Sequence, residues 1–129
     1  MYLIIHDETT AGSILNQVKL KLSRDVISIA ELIRIRVFQE VNEYNQKRPE
    51  YYRGLVQPAH AEIALNGYKM DKKHRIDPET QFSIAIDAFR RNEFQIIVDE
   101  KPVNDPDYSI SVCPHTKISF LKLTTLVGG

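Results

Sequence analysis

Residues 17–32, "QVKLKLSRDVISIAEL", change their period halfway along. Val18, Leu20 and Leu22 alternate with Lys19 and Lys21, which is the pattern of a strand with one wet face. Ser28 then stands where a helix N-cap would, Glu31 three residues on completes a capping box, and Ile27 and Leu32 occupy the positions of a hydrophobic staple. The stretch therefore reads as a strand that hands the chain to a helix. Upstream, the apolar run Tyr2–Ile5 is closed by the polar "HDETTAGS" of residues 6–13, so the two strands are expected to form a hairpin. Downstream, the helix is expected to reach about Gln46, ahead of Pro49. Its apolar residues fill more than one stripe: Ile29, Leu32 and Ile33 share a face, Ile33, Val37, Val41 and Tyr44 share another, and Ile35 and Phe38 lie elsewhere. Such a helix is covered on more than one side.

Residues 47–92 supply the expected second cover. "KRPEYYRGLVQP" (47–58) reads as a loop and "PAHAEIALNG" (58–67) as a short helix ending at Asn66-Gly67. "DPETQFSIAIDAFRRN" (77–92) reads as a further helix with Asp77 as cap and Pro78 at its first position. Phe82, Ala85, Ile86 and Phe89 follow helical spacing and form its apolar stripe. The main helix would then lie between the sheet and this helix. A strand over Phe94–Val98 follows, with a turn at Asp99–Lys101, a stub at Val103, the polar "NDPDYS" and a last strand from about Lys117 to Leu123. The expectation is an α+β fold, one domain over residues 1–129, with a helical insert between the main helix and the third strand.

A chain of 129 residues with 43% hydrophobic content suits one core. Seventeen basic and 17 acidic residues cancel, so no summed field collects nucleic acid or an anionic membrane, and neither is expected as a partner. The basic cluster Lys69, Lys72, Lys73, His74 and Arg75 reads as a solvated loop. The lone Cys113 forms no disulfide framework and suits a reducing cytoplasm. No run approaches the roughly 20 apolar residues of a bilayer span, and the start lacks the basic region of a signal peptide. His60 and Glu62 are two apart, the wrong spacing for metal ligands on one helix face, so neither a metal nor a cofactor is expected. Cys113-Pro114-His115 reads as a loop, and Glu40, Glu43 and Glu50 as solvated surface.

Taken together, the words of the sequence resemble a known family. "MYLIIHDETT" (1–10) followed by "ILNQVKLKLSRDVISIAELI" (14–33) is similar to the first hairpin and helix start of ubiquitin. "FQIIVDEKPVNDPDYSI" (94–110) and "TKISFLKL" (116–123) resemble its third strand, lysine turn, tyrosine loop and last strand, and Gly128-Gly129 resembles its tail. The likeness covers roughly residues 1–46 and 93–129, and residues 47–92 have no counterpart in ubiquitin. A core enlarged in this way resembles the ubiquitin-like proteins of bacterial conjugation operons. The resemblance implies a ubiquitin-like β-grasp.

The resemblance also implies a function. The chain would be a substrate rather than an enzyme: Gly129 is adenylated by an E1-like activating enzyme, passed as a thioester to an E2-like conjugating enzyme, joined to a target amine, and released by a deconjugating peptidase. Gly129 would supply the acyl carbon and Gly128 the steric clearance, because a residue without Cβ lets a narrow active site close on the backbone. Thr124, Thr125, Leu126 and Val127 would form a flexible tail read by the activating enzyme. Thr125 stands where ubiquitin carries an arginine, so a dedicated activating enzyme is implied. Ile97 and Leu121 match residues of ubiquitin's docking patch, with Leu123 beside them, although the hairpin loop offers no leucine. Lys101 matches its main chain-forming lysine. The alternatives are a sulfur carrier, with a thiocarboxylate on the same glycine, and a β-grasp interaction domain that is never conjugated.

Overall fold

In the computed structural model the opening hairpin is longer than its apolar pattern suggests: β1 (Tyr2–Glu8) pairs antiparallel with β2 (Ile14–Lys21) from Tyr2↔Lys21 to Asp7↔Asn16. His6 and Asp7 extend the ladder because the turn beyond them closes on itself. The Thr9 N–H donates to the Ser13 carbonyl at 2.9 Å, and Gly12 adopts φ +86°, which a side chain would oppose. There follow β3 (Val26–Ser28), α1 (Ile29–Lys47), β4 (Tyr51–Tyr52), β5 (Glu62–Ala64), β6 (Gly67–Lys69), α2 (Pro78–Arg90), β7 (Phe94–Val98), β8 (Lys101–Val103), β9 (Ser109–Ser111) and β10 (Ile118–Lys122). The structure describes residues 1–47, 49–59, 61–64, 67–70 and 75–123. The chain divides into two compact units, Met1–Leu32 with Ala88–Gly129, and Ile33–Asp87.

The first unit is built on a five-stranded sheet in the order β2-β1-β10-β7-β8. β1 and β10 run parallel, with Ile5 opposite Ile118, and the other neighbours are antiparallel. With its helical turns this is an α+β fold, broadly β-grasp-like. Leu3, Ile5, Leu20, Ile96, Ile118 and Phe120 are fully buried, whereas Lys19 and Lys21 are exposed, as the alternation predicts. Phe94 stacks on Phe120 with ring centres 5.8 Å apart, and Phe89, in the last turn of α2, lies 5.6 Å from Phe94. Asp99 and Glu100, both at positive φ, make the tight turn between β7 and β8.

A small second ladder, β3 with β9, sets the start of α1. An α-helix leaves its first N–H groups without intrahelical partners. Here Ile29 N–H donates to the Tyr108 carbonyl at 2.9 Å, Ala30 N–H to the Pro106 carbonyl at 2.8 Å, and Glu31 N–H to Ser28 Oγ at 3.1 Å. The expected N-cap is present. In place of the reciprocal half of a capping box, the Glu31 carboxylate accepts from the Ser28 hydroxyl and pairs with Arg24. Ile27 and Leu32 are both buried at the staple positions.

The second unit corrects the sequence reading of residues 58–67. Where a short helix was expected, Glu62–Ala64 and Gly67–Lys69 form strands, and β6 also pairs with Tyr51–Tyr52 to give the order β4-β6-β5. Residues 47–92 are thus partly sheet. The reason is non-local. Gly67, at φ +127°, brings its backbone so near β4 that a Cβ there would sit 2.8 Å from the Tyr52 carbonyl oxygen. Only glycine permits that approach. Gly54 is similarly pressed against the Tyr52 ring. Tyr52 in turn meets Tyr44 edge-on at 5.7 Å and stacks on Tyr68 at 6.4 Å. Its hydroxyl is buried with no hydrogen-bond partner among the described residues. Burial, reinforced by the charge of Glu40 and opposed by that of Arg36, pushes the phenol well above its ordinary range.

Within this unit the two helices are joined by side chains. Arg34 of α1 forms a bidentate pair with Glu79 of α2, and its guanidinium lies 4.3 Å from the ring centre of Phe38 and 5.3 Å from that of Phe82. Phe82 is consequently only half-buried, and the buried face of α2 is Gln81, Ala85, Ala88 and Phe89, with Ile86 beside it. Gln81 Nε2 donates to the Val56 carbonyl at 2.8 Å. Arg36, which the sequence did not single out, is 1% exposed; its Nε and Nη2 lie 3.4 Å from Glu40, whose other oxygen accepts the Leu55 N–H at 3.1 Å. Glu40 is therefore a structural carboxylate rather than solvated surface.

Two outcomes test this account. Phe89→Ala should cost about 3 to 5 kcal/mol in urea unfolding, the usual loss for a core phenylalanine, and a loss under about 1 kcal/mol would mean that the last turn of α2 is not held by the aromatic cluster. Asp77 accepts from the Thr80 hydroxyl at 2.6 Å and the Thr80 N–H at 3.0 Å, bonds that hold its carboxyl below the ordinary range. A depressed carboxylate stabilises the fold above its unfolded pKa of about 3.9 and stops doing so as pH falls through its lower folded value. Asp77→Ala should accordingly be less stable than the parent near neutrality and indistinguishable from it in strong acid. A gap that persists in acid would show that the cap is not the cause.

Candidate functional site

Strand alternation assigns each sheet residue to one of two faces. The inner face carries Leu3, Ile5, Leu20, Phe94, Ile96, Ile118 and Phe120. On the outer face one row crosses all five strands, Gln17, His6, Ser119, Ile97 and Pro102, each opposite the next in register. The adjacent row holds Glu8, Leu121 and Gln95. Ile97 and Leu121 are thus diagonal neighbours on one face, both half-buried, and Leu123 follows on the same parity, its N–H donating to the Glu93 carbonyl at 3.2 Å. Tyr2 and Ile4, 54% and 44% exposed, extend the apolar surface of this face along β1, with Lys19 lying 4.4 Å from the Tyr2 ring centre.

Sequence reasoning missed Ser119. It is 5% exposed although it lies on the outer parity, between His6 and Ile97 in register on the central strand. A serine flanked by longer residues on a central strand gives this away only once the register is known. Asp7 was missed as well: it falls on the inner parity opposite Phe120 and is 4% exposed.

Lys101 is exposed at the first position of β8, immediately after the Asp99-Glu100 turn. Asp99 fastens that turn to the start of β10: its N–H donates to the Lys117 carbonyl at 2.8 Å and its carboxylate accepts the Lys117 N–H at 2.9 Å. Thr124, Thr125, Leu126, Val127, Gly128 and Gly129 lie outside the described residues, as does His60. Cys113 is exposed. Its thiol is held below the ordinary range by the Thr116 hydroxyl, 3.6 Å from sulfur, and then by the backbone of His115. Among the described residues no helix is long and apolar enough to cross a membrane.

No family model, no curated protein and no solved structure matches this chain.

The face assignment has a direct test in two adjacent residues. Ile97→Lys should change unfolding by less than about 0.5 kcal/mol, as surface substitutions generally do, whereas Ile96→Lys should unfold the first unit by burying an unpaired charge. Thermal melts that rank the two in the opposite order would reverse the faces.

Proposed function

We propose that this chain is a ubiquitin-like protein modifier, and the observation that carries the reading is the strand order β2-β1-β10-β7-β8 with its parallel β1/β10 pair. In that order β10, the strand that precedes "LTTLVGG", lies in the middle of the sheet. A carboxyl group delivered from a central strand has a rigid anchor behind it. In a chain ending at Gly129, the Gly129 carboxylate is ionised at neutral pH and is a poor electrophile, so amide formation needs a leaving group. An E1-like enzyme would supply one: the carboxylate oxygen attacks the α-phosphate of ATP and pyrophosphate leaves. A cysteine thiolate then displaces AMP to form a thioester, an E2-like enzyme receives the acyl group by thiol exchange, and a target amine displaces that thiol. Each step conserves the Gly129 acyl carbon. A deconjugating peptidase would hydrolyse the final bond. Gly128 would keep the approach narrow.

Ile97, Leu121 and Leu123 fit the role of a docking surface because they share a face that fold stability does not fully consume. Lys101 fits that of a chain acceptor because it is exposed at a fixed turn. The absence of arginine at Thr125 favours an activating enzyme dedicated to this chain.

The test is reconstitution with ATP and the E1-like enzyme encoded nearest to this chain. The parent chain should form an adduct on the enzyme that thiol reductant cleaves, deletion of Gly129 should abolish it, and Gly128→Val should slow it at least tenfold by obstructing the acyl channel. Full adduct formation by a chain lacking both glycines would overturn the proposal. So would transfer of sulfide to Gly129, seen by mass as exchange of oxygen for sulfur, in the absence of any conjugate.

A further inference from the structure

The two edges of the five-stranded sheet differ. β8 is three residues long and has Pro102, which offers no N–H, at its centre, so that edge is closed to further pairing. β2 runs for eight residues without a proline or an acid, and among the described residues it has a strand neighbour on one side only. Ile14 and Leu15 at its start are 54% and 58% exposed, and Val18 is half-buried on the face that packs the core. A long edge with exposed apolar side chains is a template for another strand.

The register of the hairpin determines what this edge presents. The Leu22 N–H donates to the Met1 carbonyl at 2.8 Å and the Met1 ammonium to the Leu22 carbonyl at 3.2 Å, which makes them a hydrogen-bonded pair. Such pairs recur at every second residue of an antiparallel ladder, so Leu20 and Val18 also turn their backbone groups toward β1. Gln17 and Lys21, with Lys19 between them, turn theirs to the other side. The same alternation puts the side chains of Gln17, Lys19 and Lys21 on the outer face, which Glu8 shares.

Charge then selects the occupant. In an antiparallel two-fold pair opposed residues share a face, so the axis passes through a residue, and near the middle of β2 the choices are Gln17, Val18 and Lys19. An axis at Lys19 sets that lysine against itself, and an axis at Gln17 sets Val18 against the Asn16 amide. An axis at Val18 does neither. Val18 covers Val18, Lys19 lies opposite Gln17, and Lys21 lies opposite Leu15 of the second copy, one residue from the Ile14 that pairs with Glu8. Lys21 of each copy thus comes within reach of Glu8 of the other. Neither side chain has an ion-pair partner among the described residues, and Lys19 keeps its place 4.4 Å from the Tyr2 ring centre of its own copy.

From the open edge of β2 and the reciprocal placement of Lys21 and Glu8, we propose that two copies of this chain pair antiparallel through β2 about an axis at Val18, joining their five-stranded sheets edge to edge. The outer face with Ile97 and Leu121 stays uncovered in both copies, so the pairing does not rest on conjugation at Gly129. One strand pair is a small interface, and association is expected at roughly 0.1 to 1 mM.

Sedimentation equilibrium of the full chain up to about 2 mM tests the pairing, because the average mass should rise toward that of a dimer. Across that range the Gln17 and Lys21 amides should come to exchange with deuterium about twofold more slowly or better, with Val18 and Leu20 unchanged. Lys21→Glu or Glu8→Lys alone should weaken association about three- to tenfold, since each reverses two symmetry-related pairs, and combining them should restore it. Gln17→Pro removes an N–H that serves no bond to β1, so it should abolish the dimer while the chain still melts cooperatively. Ile97→Lys should leave the dimer intact. If Gln17→Pro does not fold, the charge exchange decides alone. A chain that stays monomeric at the highest concentration, a dimer that Ile97→Lys dissolves, or a double charge variant no tighter than the single ones would each overturn the proposal.

Discussion

Parallel pairing between the first and last strands of the sheet, Ile5 opposite Ile118 and Asp7 opposite Phe120, is the constraint from which the remaining architecture follows. Parallel neighbours cannot be joined by a tight turn, so everything between β1 and β10 has to act as their connection. The hairpin partners β2 and β8 take the two edges, β1 and β7 flank β10, and the inner face closes over Leu3, Ile5, Ile96, Ile118 and Phe120. The β3–β9 ladder is part of the same solution. It brings the Pro106 and Tyr108 carbonyls to the start of α1, where three otherwise unpaired N–H groups need acceptors.

How far sequence could reach depends on whether a signal is local. The caps at Ser28 and Asp77 are local: one oxygen and an N–H three residues later decide them, and both are present. The hairpin of β1 and β2 is local too, since alternation around Val18, Leu20 and Leu22 is enough. The region around Ala61 and Glu62 is different. Its composition and the Asn66-Gly67 stop suit a helix, but its conformation is set by Tyr51 and Tyr52 ten and more residues earlier, through a close approach at Gly67 that no window of sequence reveals. Arg36 and Glu40 are an ordinary i, i+4 charge pair on paper. Their burial, together with the Leu55 N–H that Glu40 accepts, is again a tertiary fact.

The candidate site divides in the same way. Ile97 and Leu121 could be assigned to one face by counting residues, and the register places them as diagonal neighbours. Ser119 between Ile97 and His6 could not be seen to be buried without that register. Gly128 and Gly129 are the reverse case, conspicuous in the sequence and outside the described residues.

The boundaries of the two units fall at Leu32/Ile33 and Asp87/Ala88, inside α1 and α2 rather than in loops. Helical phase is therefore a quantity that selection on this chain has to preserve. One residue added at Leu32 would rotate every later position of α1 by about 100°, taking Val37, Val41 and Tyr44 off the face that they now bury while Ile29 and Leu32 stay where they are. The Thr9–Ser13 turn carries no such coupling, so insertions and deletions in descendants of this sequence should collect there, and the two helix crossings should hold their length while their residues drift.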